Sequence, residues 1–327
     1  MTSPTSSRVG ERDNGRGLRG RLGRRASARP ARSGRAIGPG RSRMAMITMT
    51  GPAGIALLAL ILFPVVYAIV LSTVEWTPAQ GFGEFTGFSN LQRMVEDAQF
   101  WDSLRITLTL YVSLLVCQTC IGLYLGQLLD RQIRARQFVQ AFLLLPSMIA
   151  PVAISLLWLL LYNPQFGLAN YLLNLVGLSG LPWLGDPSTV LMSIAIVDIW
   201  QWSPFMGLLM FAGMRALPKE PFEAAIMDGA SPRQTFFRVT LPLLKPIIFV
   251  AILIRSVDLL RFFDTIYVLT QGGPLDASLT LNIYAYRRGF QYFDMSYAAT
   301  LMLTLLLLVI VIAGLITFLR RRYADAA

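Results

Sequence analysis

LPKEPFEAAIMDGASPRQTFFRVTLPLLKP, residues 217–246, is a polar stretch punctuated by prolines between two long apolar runs. Its local chemistry predicts two short helices meeting at a turn. Pro221 suits the first turn of a helix, where the N–H it lacks would have had no partner. Gly229 suits the left-handed position that closes a helix. Ser231 starts a second helix, with Pro232 at its first position and Gln234 completing a capping box. Pro242 is expected to stop that helix before the next apolar run. Phe222, Ile226, Phe236 and Phe237 give the pair an apolar side facing out of the loop. Exposed apolar surface of that kind calls for a partner.

On both sides of this loop the chain is built for lipid. Hydrophobic residues make up 54% of it and charged residues only 14%, whereas soluble domains carry about 25% charged residues. Apolar segments long enough to cross a bilayer, about 20 residues each, fall near 47–72, 106–129, 138–161, 189–213, 246–269 and 297–319. The expected fold class is therefore an all-α membrane protein with six transmembrane helices and the 217–246 loop between the fourth and fifth. Pro64, Pro146, Pro151 and Pro204 interrupt three of the spans. Each removes a backbone hydrogen bond, a loss tolerated where protein or a water-filled cavity satisfies the freed carbonyls. Together they favour a bundle around a pathway.

Charge sets the expected orientation. Residues 1–43 hold twelve arginines against Glu11 and Asp13, most of the net charge of +11. The 130–137 turn, the 217–246 loop and the C-terminal end are also basic, whereas the 73–105 loop is acidic. By the positive-inside rule both termini are cytoplasmic. The expected domains are a disordered arginine-rich cytoplasmic tail over 1–43 and a transmembrane domain over 44–327, because an Arg/Gly/Ser/Pro tail cannot bury enough apolar surface to fold. Nucleic-acid binding by the tail is open on charge alone. A basic arm beside a first span is more simply a topology and lipid-headgroup signal, so the expected contact is membrane lipid and not nucleic acid. The first apolar stretch is too long for a secretory signal peptide and lacks an A-x-A site.

Several function classes are excluded. The chain has no histidine, which removes a histidine base, a Ser-His-Asp triad and the usual zinc sites. Cys117 and Cys120, its only cysteines, lie in an apolar run with no second pair to complete a metal site. The phosphate-cradling motif needs a lysine directly after a glycine. Only Lys219 and Lys245 are present, after Pro218 and Leu244. No catalytic residue, metal or bound cofactor is expected.

Within the loop, Glu223-Ala224-Ala225, Asp228-Gly229-Ala230 and Leu241-Pro242 resemble the "EAA" loop of inner-membrane permease subunits in binding-protein-dependent, ATP-driven importers of bacteria. Phe85-Thr86-Gly87-Phe88-Ser89-Asn90, Asn163-Pro164 with Gly167-Leu168, and the run from Phe263 to Thr270 followed by Gly272-Gly273-Pro274 resemble its maltose-type, carbohydrate branch. The resemblance covers about residues 50–320. It implies a permease domain that moves a sugar, oligosaccharide or polyol, with Glu223, Ala224, Ala225, Asp228 and Gly229 coupling it to two separate ATPase subunits that hold ATP and magnesium. It further implies a second, different permease subunit and an extracytoplasmic solute-binding protein.

Two spans carry candidate solute contacts. Arg255, Asp258, Arg261 and Asp264 lie three residues apart on the fifth. Charged groups at membrane depth are costly and face a cavity or one another; at this spacing they can also pair along the helix. Both a self-neutralising ladder and a pathway lining fit. On the fourth span Trp200, Gln201, Trp202 and Phe205 surround Pro204, with Asp198 nearby. Aromatic faces beside amide and carboxylate groups suit a sugar ring, although tryptophan also belongs at membrane interfaces. By resemblance to maltose-type permeases, Trp200, Gln201, Trp202 and Phe205 fall on contact positions, and Arg261, Phe262 and Asp264 match a related segment that is otherwise asparagine-rich. With Asp258 these form the expected substrate pathway. The alternative is an ion-coupled secondary carrier using the charged ladder, which leaves the 217–246 loop without a role.

Overall fold

The computed structural model describes residues 39–79, 81–131 and 136–324; the arginine-rich tail up to residue 38 lies outside them. The chain comprises two compact units, one ending at Leu57 and one beginning at Leu58. The described part of the first belongs to helix α1 (Pro39–Ser72). Residues 39–43, expected in the tail, are thus helical: Pro39 occupies a first position that tolerates proline, and extending a helix backwards from an apolar run needs no new nucleus. The second unit holds everything below.

After α1 comes a hairpin the sequence reading does not anticipate, β1 (Val74–Thr77) and β2 (Gly81–Phe85), antiparallel with Trp76 opposite Phe82. Helices α2 (Ser89–Glu96) and α3 (Ala98–Asp130) follow, then α4 (Arg136–Met148), α5 (Pro151–Leu161), α6 (Leu168–Leu175) and α7 (Pro187–Arg215). The loop contributes α8 (Glu220–Met227) and α9 (Pro232–Thr235), and the chain closes with α10 (Leu241–Leu260), α11 (Asp264–Thr270), α12 (Leu281–Tyr286) and α13 (Met295–Ala324). Among the described residues, five continuous helical stretches are long and apolar enough to cross a membrane, and α4 with α5, bent by 91°, makes a sixth if the pair is one span. Six spans in an all-helical membrane fold are therefore what the apolar pattern produces.

Two spans, the third and the fifth, differ from their expected form, each for a backbone reason. Pro146 inside α4 and Pro151 at the start of α5 each lack an N–H. Ala150, immediately before a proline, is extended at φ −58° and ψ 135°, the region that position favours, and the span breaks there. Pro242, expected to end a helix, does not. The helix runs unbroken from Pro232 to Leu260 through a π-turn at Phe236–Thr240, where the Leu241 N–H bonds the Phe236 carbonyl five residues back. The wider turn makes room where a proline ring would strike the carbonyl one turn earlier. The fifth span, expected to reach residue 269, stops at Leu260 and resumes as α11 at Asp264, with Phe263 non-helical at φ −129° and ψ −58°.

The core is assembled on α3 and α7. Gly122 and Gly126 of α3 face Gly207 of α7 so closely that an added Cβ on any of the three would lie 2.8 Å from a Cβ of the opposite helix. Small residues one turn apart let transmembrane backbones approach and pack by dispersion. Cys117 and Cys120, on the same helix, are free thiols at its exposed surface.

One polar cluster ties the start of α3 to α12 and α13. Asp97 caps α3 by accepting from the Gln99 N–H at 3.0 Å and also accepts from the Tyr284 and Tyr297 hydroxyls. Arg93 lies 2.9 Å from Asp294 and over the Tyr297 ring. Burial pushes the Asp97 carboxyl up, but the tyrosine and backbone donors, with the Arg288 charge, outweigh it and hold its pKa below the usual 3.8. A lowered carboxylate pKa adds stability that is complete above the unfolded value and fades only as pH falls through the folded one. Asp97→Asn is therefore expected to lower stability by about 1–2 kcal/mol, by the same amount at pH 7 and pH 5. Thermal melts of the detergent-purified complex at the two pH values check this; a penalty that vanishes at pH 5 would contradict the lowered pKa.

Candidate functional site

A cavity of about 370 Å³ opens at the break between α10 and α11, lined by Pro151, Asp198, Trp202, Arg255, Asp258, Arg261, Phe262, Phe263, Asp264 and Thr265. Two breaks in regular structure converge on it: the bend at Pro151 and the gap at 261–263. Irregular backbone at membrane depth is tolerated where it lines a cavity, and here it does.

The polar floor is a three-helix network. Arg255 of α10 donates through Nε to Gln118 Oε1 of α3 at 2.7 Å and through Nη2 to Asp198 Oδ2 of α7 at 2.5 Å. Gln118 Nε2 donates to the same Asp198 oxygen at 2.6 Å, closing the triangle. All three side chains are buried. The Arg255 guanidinium lies 4.8 Å from the centre of the Trp202 ring, which covers it from the cavity side. Below this network Tyr111 and Ser256 share a hydrogen bond of 3.0 Å. Asp198 Oδ1 is buried with no hydrogen-bond partner among the described residues. A buried carboxylate oxygen without a donor is expensive.

The rim is looser. Arg261 and Asp258 pair at 3.4 Å with both side chains substantially exposed, and Asp264 opens α11. The ladder is thus split: Arg255 leaves it to pair across helices, Arg261 and Asp258 pair along the chain, and Asp264 lies beyond the break. Three carboxylates face two guanidiniums, each guanidinium already matched.

Of the eight expected pathway residues, Trp202, Asp258, Arg261, Phe262 and Asp264 line the cavity. Trp200 lies on the exposed face of α7, edge-on to Trp158 at 5.8 Å, and not on the cavity. Gln201 is buried and donates to the Ile149 carbonyl at 3.4 Å, supporting the bend in the third span. Phe205 packs edge-on behind Trp202 at 6.0 Å. Gln118 is a network member the sequence reading passes over. Its signal was one amide inside an apolar run, which does not say toward which helix it points.

In the 217–246 loop the expected local chemistry is present. Gly229 is left-handed at φ +71°, and the Ala230 N–H bonds the Ala225 carbonyl, closing α8. Both capping-box bonds between Ser231 and Gln234 are made. Glu223, Ala224, Asp228 and Gly229 are exposed, whereas Ala225 faces inward. Of the four apolar residues expected outside, Ile226 and Phe237 are exposed and Phe222 is half-buried. Phe236 turns in against the Met206, Met210 and Leu244 cluster, and Met227, 87% exposed, joins the outer face instead.

Comparison with known proteins agrees with this architecture. The chain is 35% identical over 237 residues, 72% of its length and 79% of the relative's, to the trehalose/maltose transport system permease protein MalF of Thermococcus litoralis. It is 30% identical to the sulfoquinovosyl glycerol transport system permease protein SmoG of Agrobacterium fabrum, covering 79% and 84% of the two chains. It is 28% identical to the sn-glycerol-3-phosphate transport system permease protein UgpA of Salmonella typhimurium, covering 88% and 96%. A chain in the crystal structure of a bacterial alginate ABC transporter, complexed with an alginate pentasaccharide-bound periplasmic protein, shares the fold at TM-score 0.76 and 22% identity, over 88% of this chain and 98% of that one. The model of the family described as the binding-protein-dependent transport system inner membrane component matches residues 118–325, from the glutamine that anchors the buried triangle to the last described turn of α13, and this chain belongs to that family.

Proposed function

We propose that this chain forms the translocation pathway of an ATP-driven (ABC) importer for a neutral carbohydrate, a sugar, oligosaccharide or polyol, and that residues 217–246 couple it to separate ATPase subunits. The observation that carries the coupling role is the doubly capped helical turn of α8 and α9, which presents Ile226, Met227 and Phe237 to the exterior. Two short helices locked by a left-handed glycine and a capping box make a rigid knob, and exposed apolar side chains on such a knob require a partner to cover them. Its partners are two ATPase subunits holding ATP and magnesium, a second and different permease subunit and an extracytoplasmic solute-binding protein. The alginate transporter structure with its periplasmic protein supports the binding protein and ATPase partners. The basic connections favour a multi-pass subunit of the inner membrane with both termini cytoplasmic.

The solute class follows from the cavity. Relatives named for trehalose/maltose, a sulfoquinovosyl glycerol and glycerol phosphate favour polyhydroxylated solutes. Arg255 and Arg261 are each matched by a carboxylate, so no guanidinium remains for a phosphate, and Asp264 adds a further carboxylate to the lining. This supports a neutral solute. The ion-coupled carrier has lost its basis, since its continuous charged ladder is divided among three partners.

Glu223→Ala combined with Gly229→Asp is expected to abolish uptake while the chain still inserts in the membrane. Forcing a side chain into the left-handed position costs about 1–2 kcal/mol and loosens the knob. Reconstituted uptake and pull-down of the ATPase subunits measure it. Normal uptake by the double variant would remove the coupling role.

A further inference from the structure

Two neighbouring cavities along α3 have no part in the site above. The first, of about 710 Å³, is an apolar furrow that follows one face of the helix from Trp101 past Leu104, Leu108 and Val112. Steps of three and four residues keep these side chains on one stripe. The second, of about 510 Å³, is mixed in character and includes Gln99, Asp102 and Asp276 in its lining. Arg105 and Thr109 line both, so the furrow meets the polar cavity at Arg105. Asp276 is already held by Arg287 at 2.7 Å. Arg105 and Asp102 stand three apart, a spacing that allows them to pair along the helix. Both are exposed instead, and neither side chain has an ion-pair or hydrogen-bond partner among the described residues. The Arg215–Asp130 contact at 3.7 Å sets the last turn of α3 beside the 217–246 loop, so both cavities lie toward the opposite end of the helix.

We propose that the joined cavities hold one phospholipid with a primary-amine headgroup, of the phosphatidylethanolamine type. Its phosphate lies on Arg105, its ammonium on Asp102 and an acyl chain in the furrow. An unpaired guanidinium and an unpaired carboxylate lining one cavity call for a ligand that carries both opposite charges, and charge-assisted hydrogen bonds to each are the strong ones. The furrow joined to that cavity calls for a long apolar tail on the same ligand. A free phosphate has neither amine nor tail, and a saccharide has no tail. A protein seated on the stripe would have to bury both charges, whereas interface cores are depleted of charged residues. The depth agrees. The 33 residues of α3 measure about 50 Å at 1.5 Å per residue, against about 30 Å of hydrocarbon. The apolar run of this helix begins near residue 106, which sets Arg105 at the rim of the span and Leu108 and Val112 inside it. The site needs only the membrane fold and is independent of the solute.

The test is native mass spectrometry of the whole importer, washed free of loosely held lipid and then given equal amounts of phosphatidylethanolamine, phosphatidylcholine and phosphatidylglycerol. The unaltered complex is expected to retain phosphatidylethanolamine about tenfold better than either of the others. Arg105→Ala should reduce that retention by about tenfold. Asp102→Asn should abolish the preference over phosphatidylcholine, whose quaternary amine has no N–H to donate. Subunit content and heat stability in lipid-free detergent should be unchanged in both variants. A photoreactive benzoylphenylalanine in place of Val112 should, on illumination, add the mass of one phospholipid to this chain. Equal retention of the three lipids overturns the site, as does a preference that survives Arg105→Ala or Asp102→Asn. A cross-link from position 112 to another subunit, or loss of a subunit from either variant, also overturns it, because the furrow would then be a protein interface.

Discussion

Arg255→Ala is expected to prevent the chain from accumulating in folded form. The substitution leaves Asp198 buried at 1% exposure with its ion-pair partner gone and Gln118 without its guanidinium. Breaking one side of a buried pair costs about 3–5 kcal/mol, much of it the penalty of the charge left behind. Asp198→Ala should be similarly damaging. Replacing both at once, Asp198→Leu with Arg255→Met, removes the stranded charge and should restore most of the stability, because buried pairs exchanged for apolar residues of like volume are often tolerated. The double variant should nevertheless transport poorly, since two polar residues of the cavity lining are gone. Size-exclusion profiles of fluorescently tagged chain after graded heating in detergent separate these outcomes. A single variant that melts with the unaltered chain would show that the triangle bears no strain when opened.

Gly126→Leu should be comparably severe. A Cβ at this position would lie 2.8 Å from the Met210 Cβ and 3.0 Å from the Phe211 backbone nitrogen, so the obstruction is largely a helix and not the end of a flexible side chain. Overpacking costs about 1–3 kcal/mol in ordinary cores. Here α3 and α7 must also separate, which lengthens the Gln118–Asp198 contact. Gly122→Leu meets Met206 and Gly207 in the same way, and Gly126→Ala should be milder. Proteolysis of membrane-inserted chain, with faster cleavage of the leucine variants, is the readout; equal resistance would mean that the two helices are not held at this distance.

Much of this was legible from the amino acids. Length and hydropathy give six spans because the bilayer imposes one length on every segment, and the α8–α9 turn is legible because Gly229, Ser231, Pro232 and Gln234 each act on backbone within a few residues. The breaks inside spans were harder. Prolines at 146, 151, 204, 242 and 246 look alike in sequence, yet a helix passes through 204, 242 and 246 while the third span breaks beside 151. The outcome depends on what receives the freed carbonyl, a π-turn at 242 and the Gln201 side chain beside 150. The site shows the same limit. Asp258, Arg261 and Asp264 were visible as charges at membrane depth, but which of them Arg255 would abandon for Asp198 depends on the close approach of α3 to α7, and so on three glycines far from it in sequence.

The π-turn at Phe236–Thr240 has an effect on α10 as a whole. A π-turn holds one residue more than an α-turn, and each residue advances an α-helix by about 100°. Everything downstream to Leu260 is therefore rotated by about that angle relative to an uninterrupted helix leaving the α9 cap. The bulge sets the azimuth of the rod: with it, Arg255 meets Asp198 across the bundle; were it to anneal into a regular turn, the same guanidinium would swing toward a different neighbour. A five-residue irregularity at one end thus decides which way the charges point at the other.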